Sequence, residues 1–354
     1  MRSFFNHNII MRTLSAIFIL AATATVQEAK AQIKAVSQTD GSAVTYASVF
    51  KDDGSLAGTT GRDGILSLPK GYAGRVTIQH INYETKEVKT DTLTHSTVLL
   101  KPFMHDIPEV SVTAEQPEYV RMTAFVRQYT IVDSIPSVFR ESLCDYYIPV
   151  KKGKSRMKIR SSRYFMSKDV PENDAVFYEL DYPRETGGTL LGRIKKDKRD
   201  SILNSLSKGD VRIPDIRGSI FKIRQNRADS TISVSLDSLF TTNDFSFSLF
   251  GIRMRCVNRS ETETYTFNGH TMPTYKNMLT DSEYLCNYYR FGRLRKEKRF
   301  DEFTDIYFLG VSYASKDAAK AASKDRTREP FTMPSGIPPI SKPLEEAVSK
   351  MKSM

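Results

Sequence analysis

The sequence predicts a mostly β protein in two parts. An N-terminal β-sandwich is followed by an α+β unit made of an antiparallel sheet and one main helix. Three observations carry this expectation. Between Val44 and Ala114, short runs of β-branched and aromatic residues are broken by turn residues, at the spacing of about eight to twelve positions that marks a sandwich. Further on, Thr231 to Leu236 and Phe245 to Phe250 alternate strictly between polar and apolar residues, the period of a strand with one buried face. Only Thr189 to Ser207 has a clear helical period: Leu190, Leu191, Ile194, Ile202, Leu203 and Leu206 recur near helical spacing, and Gly209 follows as a stop.

Taken in order, the chain opens on residues 1–31, which read as an export signal. Arg2 and Arg12 supply positive charge, Leu14 to Val26 is apolar, and Ala29-Lys30-Ala31 forms a small-x-small site. Cleavage is expected between Ala31 and Gln32. Met11 is an alternative start, since a basic residue and the apolar run follow it directly. No Cys stands near the cleavage site, and no later run has the length and apolarity of a transmembrane helix.

The segment 32–114 is expected to be the sandwich. Gln32 to Val36, Thr45 to Phe50, Ile65 to Leu68 and Val76 to Ile81 are its clearest strands, with Glu87-Val88-Lys89 and Val98-Leu99-Leu100 after them. Asp53-Gly54 is a hairpin signal, because glycine takes positive φ without steric cost. Asp52, Asp53 and Asp63 suit a calcium loop in residue type, but turn chemistry accounts for them more simply.

Ala47-Ser48-Val49, Gly58-Thr59-Thr60 and Gly64-Ile65 then carry a resemblance. The stretch resembles the carboxypeptidase regulatory-like family, a transthyretin-like β-sandwich. Two departures stand out: Gly61 occupies a place where Asp is usual, and Asn82-Tyr83 replaces a Gly-Tyr pair. The closing Glu109 to Ala114 resembles the segment that follows this module in many envelope proteins. The resemblance implies a module of the Gram-negative envelope with no peptidase site of its own.

Residues 115–118 read as a linker, and 115–313 as the α+β unit. Tyr119 to Asp133 is ambiguous by period, but its aromatic and β-branched content favours a strand. Ser142 to Val150 and Met157 to Met166 follow as strands around a basic turn, Lys151-Lys152-Gly153-Lys154. Thr262 to Phe267, Ser282 to Phe291 and Phe303 to Tyr313 complete the sheet. Residues 314–354 are Ala/Lys- and Pro-rich, with five Pro between Pro330 and Pro343; they are expected to be a mobile tail, with Leu344 to Met351 as a candidate short terminal helix.

The formal charge of +11 is unevenly placed. Residues 32–114 hold eight basic and nine acidic side chains, and residues 115–354 hold 41 and 31. In an exported chain this excess argues against nucleic acid and points to an envelope protein, a glycan or an anionic lipid surface. Cys144, Cys256 and Cys286 leave at least one thiol free, and their pairing stays open. His80, His95, His105 and His270 form no metal pattern, and no nucleophile elbow or phosphate loop is present. No catalytic group, cofactor site or metal site is therefore expected.

Two surface features are candidates. Asp-Ser/Thr pairs at Thr92, Ser134, Ser201, Ser230 and Ser238 resemble an O-glycosylation acceptor motif of exported proteins; Asp-Ser is also an ordinary turn and cap. Arg290, Arg293, Arg295, Lys296, Lys298 and Arg299 form a candidate anion-binding loop, or a charged hairpin tip that keeps sheet edges apart. The expected function is a non-catalytic accessory or scaffold module that binds a protein or glycan, in the periplasm, at the outer membrane or outside the cell. A periplasmic carrier of lipid or another hydrophobic ligand, and a hydrolase with dispersed catalytic groups, are the alternatives. An apolar cavity within the second sheet would favour the carrier.

Overall fold

The structure is a computed structural model. It describes residues 32–68, 72–90, 95–105, 109–110, 117–170, 189–194, 196–206, 209–214, 219–239, 246–249, 252–291 and 297–354. Residues 1–31, expected to be an export signal and ending at Ala31, lie outside these residues, as do Thr92 and the loop residues Arg293, Arg295 and Lys296.

The chain is mostly β with antiparallel sheets and a few helices, as expected. Its first seven strands are β1 (Gln32–Ser37), β2 (Ser48–Lys51), β3 (Leu56–Thr59), β4 (Ile65–Ser67), β5 (Arg75–His80), β6 (Tyr83–Lys89) and β7 (His95–Leu100). They form a three-stranded sheet, β4-β1-β7, and a four-stranded sheet, β3-β2-β5-β6. Ile33, Ala35 and Val98 from one sheet pack against Val49, Val76 and Ile78 from the other, so the alternation along each strand resolves into one sandwich core. Gly54 takes φ +82° in the β2–β3 turn, a conformation that favours glycine.

The second sheet has twelve strands. Its long members are β9 (Tyr119–Val132), β10 (Ile135–Pro149), β11 (Arg156–Met166), β16 (Ile252–Thr266), β17 (Met278–Phe291) and β18 (Lys298–Ala314). Shorter strands are β8 (Glu109–Val110), β12 (Val211–Pro214), β13 (Ile220–Asn226), β14 (Thr231–Leu239), β15 (Ser246–Leu249) and β19 (Lys352–Ser353). The main path runs β12-β13-β14-β16-β17-β18-β9-β10-β11-β19, with β15 on β16 and β8 on β18. Glu109 and Val110 pair with Gly310 and Val311. The chain has therefore joined the large sheet before Ala114, earlier than the sequence places the module's end.

Both faces of this sheet are covered. Val120, Met122, Ala124 and Val126 face one side, with Ile223, Ile232 and Val234. Onto them pack α1 (Leu190–Arg193) and α2 (Lys196–Leu206), through Leu190, Leu191, Ile202 and Leu206. The one helix expected from Thr189 to Ser207 is therefore two: Ile194 takes extended backbone (φ −77°, ψ 126°) after α1, and both pieces pack on the sheet. Phe125, Arg127, Tyr129 and Ile131 face the other side, towards the sandwich and the C-terminal segment. Double-sided burial explains why β9 lacks a clean period of two.

The last residues correct the expectation of a mobile tail. Helices α3 (Lys316–Lys324) and α4 (Lys342–Ser349) are joined by an extended strap. Lys158 pairs with Asp325 at 2.5 Å and Arg160 with Glu329 at 3.2 Å. Arg127 donates to the Pro338 carbonyl at 3.0 Å, and the Ser341 N–H donates to Gln79 Oε1 at 2.6 Å. Leu344 and Val348 share a core with Phe50, Leu56, Tyr129 and Phe303. The prolines keep this strap extended, and side chains of both parts supply the partners its backbone needs.

Candidate functional site: a cleft between the two parts

The sandwich packs on the middle of the sheet, against Tyr129 of β9 and Tyr284 of β17, and leaves a cleft of about 510 Å³ over β13, β14 and β16 beside that contact. The floor is set by strand alternation. In β14, Ile232, Val234 and Leu236 point into the helix-side core, which turns Thr231, Ser233 and Ser235 the other way. In β16, Thr262, Thr264 and Thr266 do the same. The register pairs Thr231 with Thr266, Ser233 with Thr264 and Ser235 with Thr262. Six hydroxyls therefore form three rungs, roughly 5 Å across each rung and roughly 7 Å from one rung to the next. The Thr231, Ser233 and Thr262 hydroxyls have no hydrogen-bond partner among the described residues.

The wall comes from the sandwich: Tyr83, Phe103, Met104 and His105 carry its apolar surface. His80 stacks edge-on to Tyr83 at 5.2 Å and Phe103 to His105 at 5.1 Å. Met104 is the most exposed large apolar side chain of the described residues, at 77%. Asn82 closes the deep end. Its Nδ2 donates to Thr264 Oγ1 at 3.0 Å, its Oδ1 accepts from Thr280 at 2.9 Å, and His105 Nε2 lies 3.2 Å from that oxygen. Burial and nearby His105 push His80 down to about 4, so its imidazole is neutral at neutral pH.

Charge in the cleft is balanced. Asp40, Asp229 and Asp237 line it with Arg62, Lys222 and Arg224. Arg224 and Lys222 are already held by Asp210, at 2.8 and 3.4 Å. Burial raises the Asp237 carboxyl, opposed by its hydrogen bond from Ser260 and by Arg62 and Lys222. Burial disfavours ionised Asp40 as well, yet donors from Ser42 and Ser37 hold it below the usual range.

Replacing Asn82 with alanine leaves the buried Thr280 and Thr264 hydroxyls without their partner. It is expected to cost about 1–3 kcal/mol, read as a lowered urea midpoint. An unchanged midpoint would show that this joint does not hold the two parts together.

A second cluster lies on the helix-side face, where Glu261, Glu263 and Asp281 bring carboxylate oxygens within 4.8 Å of one another. These groups are engaged structurally. Glu263 accepts from the Leu190 and Leu191 N–H groups at 2.7 and 3.3 Å and from the Tyr265 hydroxyl, and so anchors the start of α1. Arg193 and Arg259 approach Glu261 at 3.5 and 3.6 Å. Burial is the main cause that raises the Glu263 carboxyl to about 7 from 4.5. The folded chain thus binds this proton more tightly than the unfolded chain. This group favours folding fully below about pH 4.5, and its contribution is lost as pH rises through about 7. Glu263→Gln is expected to flatten the fall in stability between pH 5 and 8, measured as urea midpoints. An unchanged slope would place the titration elsewhere.

The other sequence candidates divide. Ser134, Ser201 and Ser230 are exposed. Asp133-Ser134 forms the two-residue β9–β10 hairpin with φ +47° and +75°, and Ser230 turns β13 into β14 at φ +50°. Ser238 is half-buried and hydrogen-bonded to Ser219 at 2.8 Å, so it is poorly presented as an acceptor. Of the basic loop, Arg290 is exposed and Lys298 half-buried. Arg299 is committed: it pairs with Asp301 at 2.8 Å, and its N–H donates to Asp133 at 3.0 Å. That removes Arg299 from an anion site. Asp53 and Asp63 each accept a backbone N–H two residues on, as turn residues do. The three Cys are buried free thiols, and burial pushes Cys144 up to about 12.

Comparison with known proteins adds little. No protein-family model matches the chain, and no curated protein matches it. A solved structure of lipovitellin, described as showing that protein's lipid–protein interactions, aligns at 9% identity with a TM-score of 0.30. The alignment covers 58% of this chain and 27% of the lipovitellin chain, and so weak a likeness carries no functional argument. No helix among the described residues is long and apolar enough to cross a membrane.

Sequence reasoning missed the cleft. The strict alternation of β14 was visible, and its polar face reads as solvated. A matching set of hydroxyls in β16 was the available signal, but only the fold sets the two strands side by side.

Proposed function

We propose that this chain is an exported, non-catalytic accessory protein of a bacterial envelope that holds a glycan in the cleft between its two parts. The observation that carries the reading is the cleft's lining: a hydroxyl grid facing an aromatic wall. Such a surface offers hydrogen bonds to hydroxyl groups and flat apolar area to sugar faces, whereas a peptide strand seeks an unpaired sheet edge. The resemblance of residues 32–114 to a regulatory-like module agrees with an accessory role, and residues 1–31 agree with export. The carrier alternative needs an apolar cavity within the second sheet. Instead, the helix-side face is filled by Leu190, Ile202 and their neighbours, and the large cleft lies on the other face of the sheet, with an apolar wall but a floor of hydroxyl groups.

Two measurements test this. The native protein is expected to begin at Gln32 and to fractionate with the envelope. The purified protein is expected to bind on an array of polysaccharides, and Ser233→Tyr, which fills the floor, should abolish binding without lowering the melting temperature. Binding unaffected by Ser233→Tyr would remove the cleft from the function. A co-purified acyl chain with no glycan bound would favour the carrier.

A further inference from the structure

The geometry points to an uncharged oligosaccharide as the ligand, lying along β14 and β16 so that successive sugar units meet successive hydroxyl rungs. This rests on the glycan reading above and narrows it in charge and length.

The charge argument comes from the side chains that face the cleft. Among the described residues, the second part of the chain carries its basic excess elsewhere, for example at the exposed Lys151-Lys152 turn. In the cleft, Arg62, Lys222 and Arg224 meet Asp40, Asp229 and Asp237. Asp210 further neutralises Arg224 and Lys222 from behind. Four carboxylates thus stand against three cations, and an acidic polymer finds no surplus positive charge. His80 adds none, since its imidazole stays neutral down to about pH 4. A polymer of uronic acids would also bring its carboxylates near Asp40 and Asp229, where like charges repel.

The length argument comes from the register. The three cross-strand rungs repeat every two residues, and one free hydroxyl stands on each: Thr231, Ser233 and Thr262. A single sugar reaches one rung, and a chain of sugars reaches all three. The apolar wall of Tyr83, Phe103 and Met104 runs beside this grid and supplies contact area that does not depend on charge.

The test is calorimetry on the full mature chain. The probes are neutral gluco- and manno-oligosaccharides of one to five units and uronic-acid oligomers of matched length, at low and high salt. The neutral oligomers are expected to bind with affinity that rises with length and then levels off, and that salt does not change. The triple variant Thr231→Val, Ser233→Ala, Thr262→Val should weaken binding about tenfold or more, with an unchanged melting temperature showing that it folds. Tighter binding of the uronic-acid oligomers, weakened by salt, would overturn the inference while leaving the glycan cleft in place. Equal affinity for single sugars and longer chains would overturn the rung geometry. Binding of neither panel would overturn the glycan reading itself, and the inference with it.

Discussion

Glu141→Ala is expected to lower the unfolding free energy by about 3–5 kcal/mol, the range for breaking one side of a buried ion pair. Glu141 sits between two arginines on the sandwich-facing side of the sheet. Arg127 Nε donates to its Oε1 at 2.8 Å, and Arg163 Nε donates to its Oε2 at 2.7 Å. Arg127 and Glu141 side chains are only 3% and 1% exposed, while Arg163 is 43% exposed. Losing Glu141 therefore strands a buried guanidinium at Arg127, whereas Arg163 can turn to water. The double variant Arg127→Met, Glu141→Leu is expected to recover most of the loss, because both buried charges leave together. Its remaining cost falls on the Pro338 carbonyl, which loses its donor. Urea unfolding of wild type, single and double variants measures both effects. A single variant within 1 kcal/mol of wild type, by the magnitude typical of exposed pairs, would mean that water reaches this pair.

Leu344→Ala is the second large expected effect, a loss of about 2–5 kcal/mol. Leu344 is fully buried in α4, among Phe50 and Leu56 of the sandwich and Tyr129 and Phe303 of the sheet. Truncation removes its side-chain carbons from a site whose walls belong to three separate segments, so collapse around the void is limited. A mobile tail would make the same substitution silent. The loss is to be read against Met333→Ala, in the exposed part of the strap, which is expected to stay within about 0.5 kcal/mol of wild type.

These two sites show what the sequence made legible. The sandwich strands, the main helix and the alternating strands were visible because each rests on a local period. The strap was not. Its prolines and arginines fit disorder as well as they fit an extended segment, and its partners Gln79, Arg127 and Lys158 lie far away in the chain. Asn82 is the sharpest case. It was visible as a departure from a Gly-Tyr pair, but its purpose exists only where Thr264 and Thr280 come to meet it. The cleft shares that origin, because a polar strand face becomes the floor of a cleft only when another part of the chain stands over it.

The strap also fixes the order in which this protein can finish folding. The Ser341 N–H meets Gln79 across 262 positions of sequence, and Arg127 meets Pro338 across 211. Closing contacts of such separation is slow, because chain entropy must be lost before they form. Until residues 325–354 have been synthesised, the Phe50, Leu56 and Tyr129 surfaces lack their cover, and Arg127 lacks one of its acceptors. A chain emerging from the ribosome therefore stays loose at the junction of its two parts until its last segment follows.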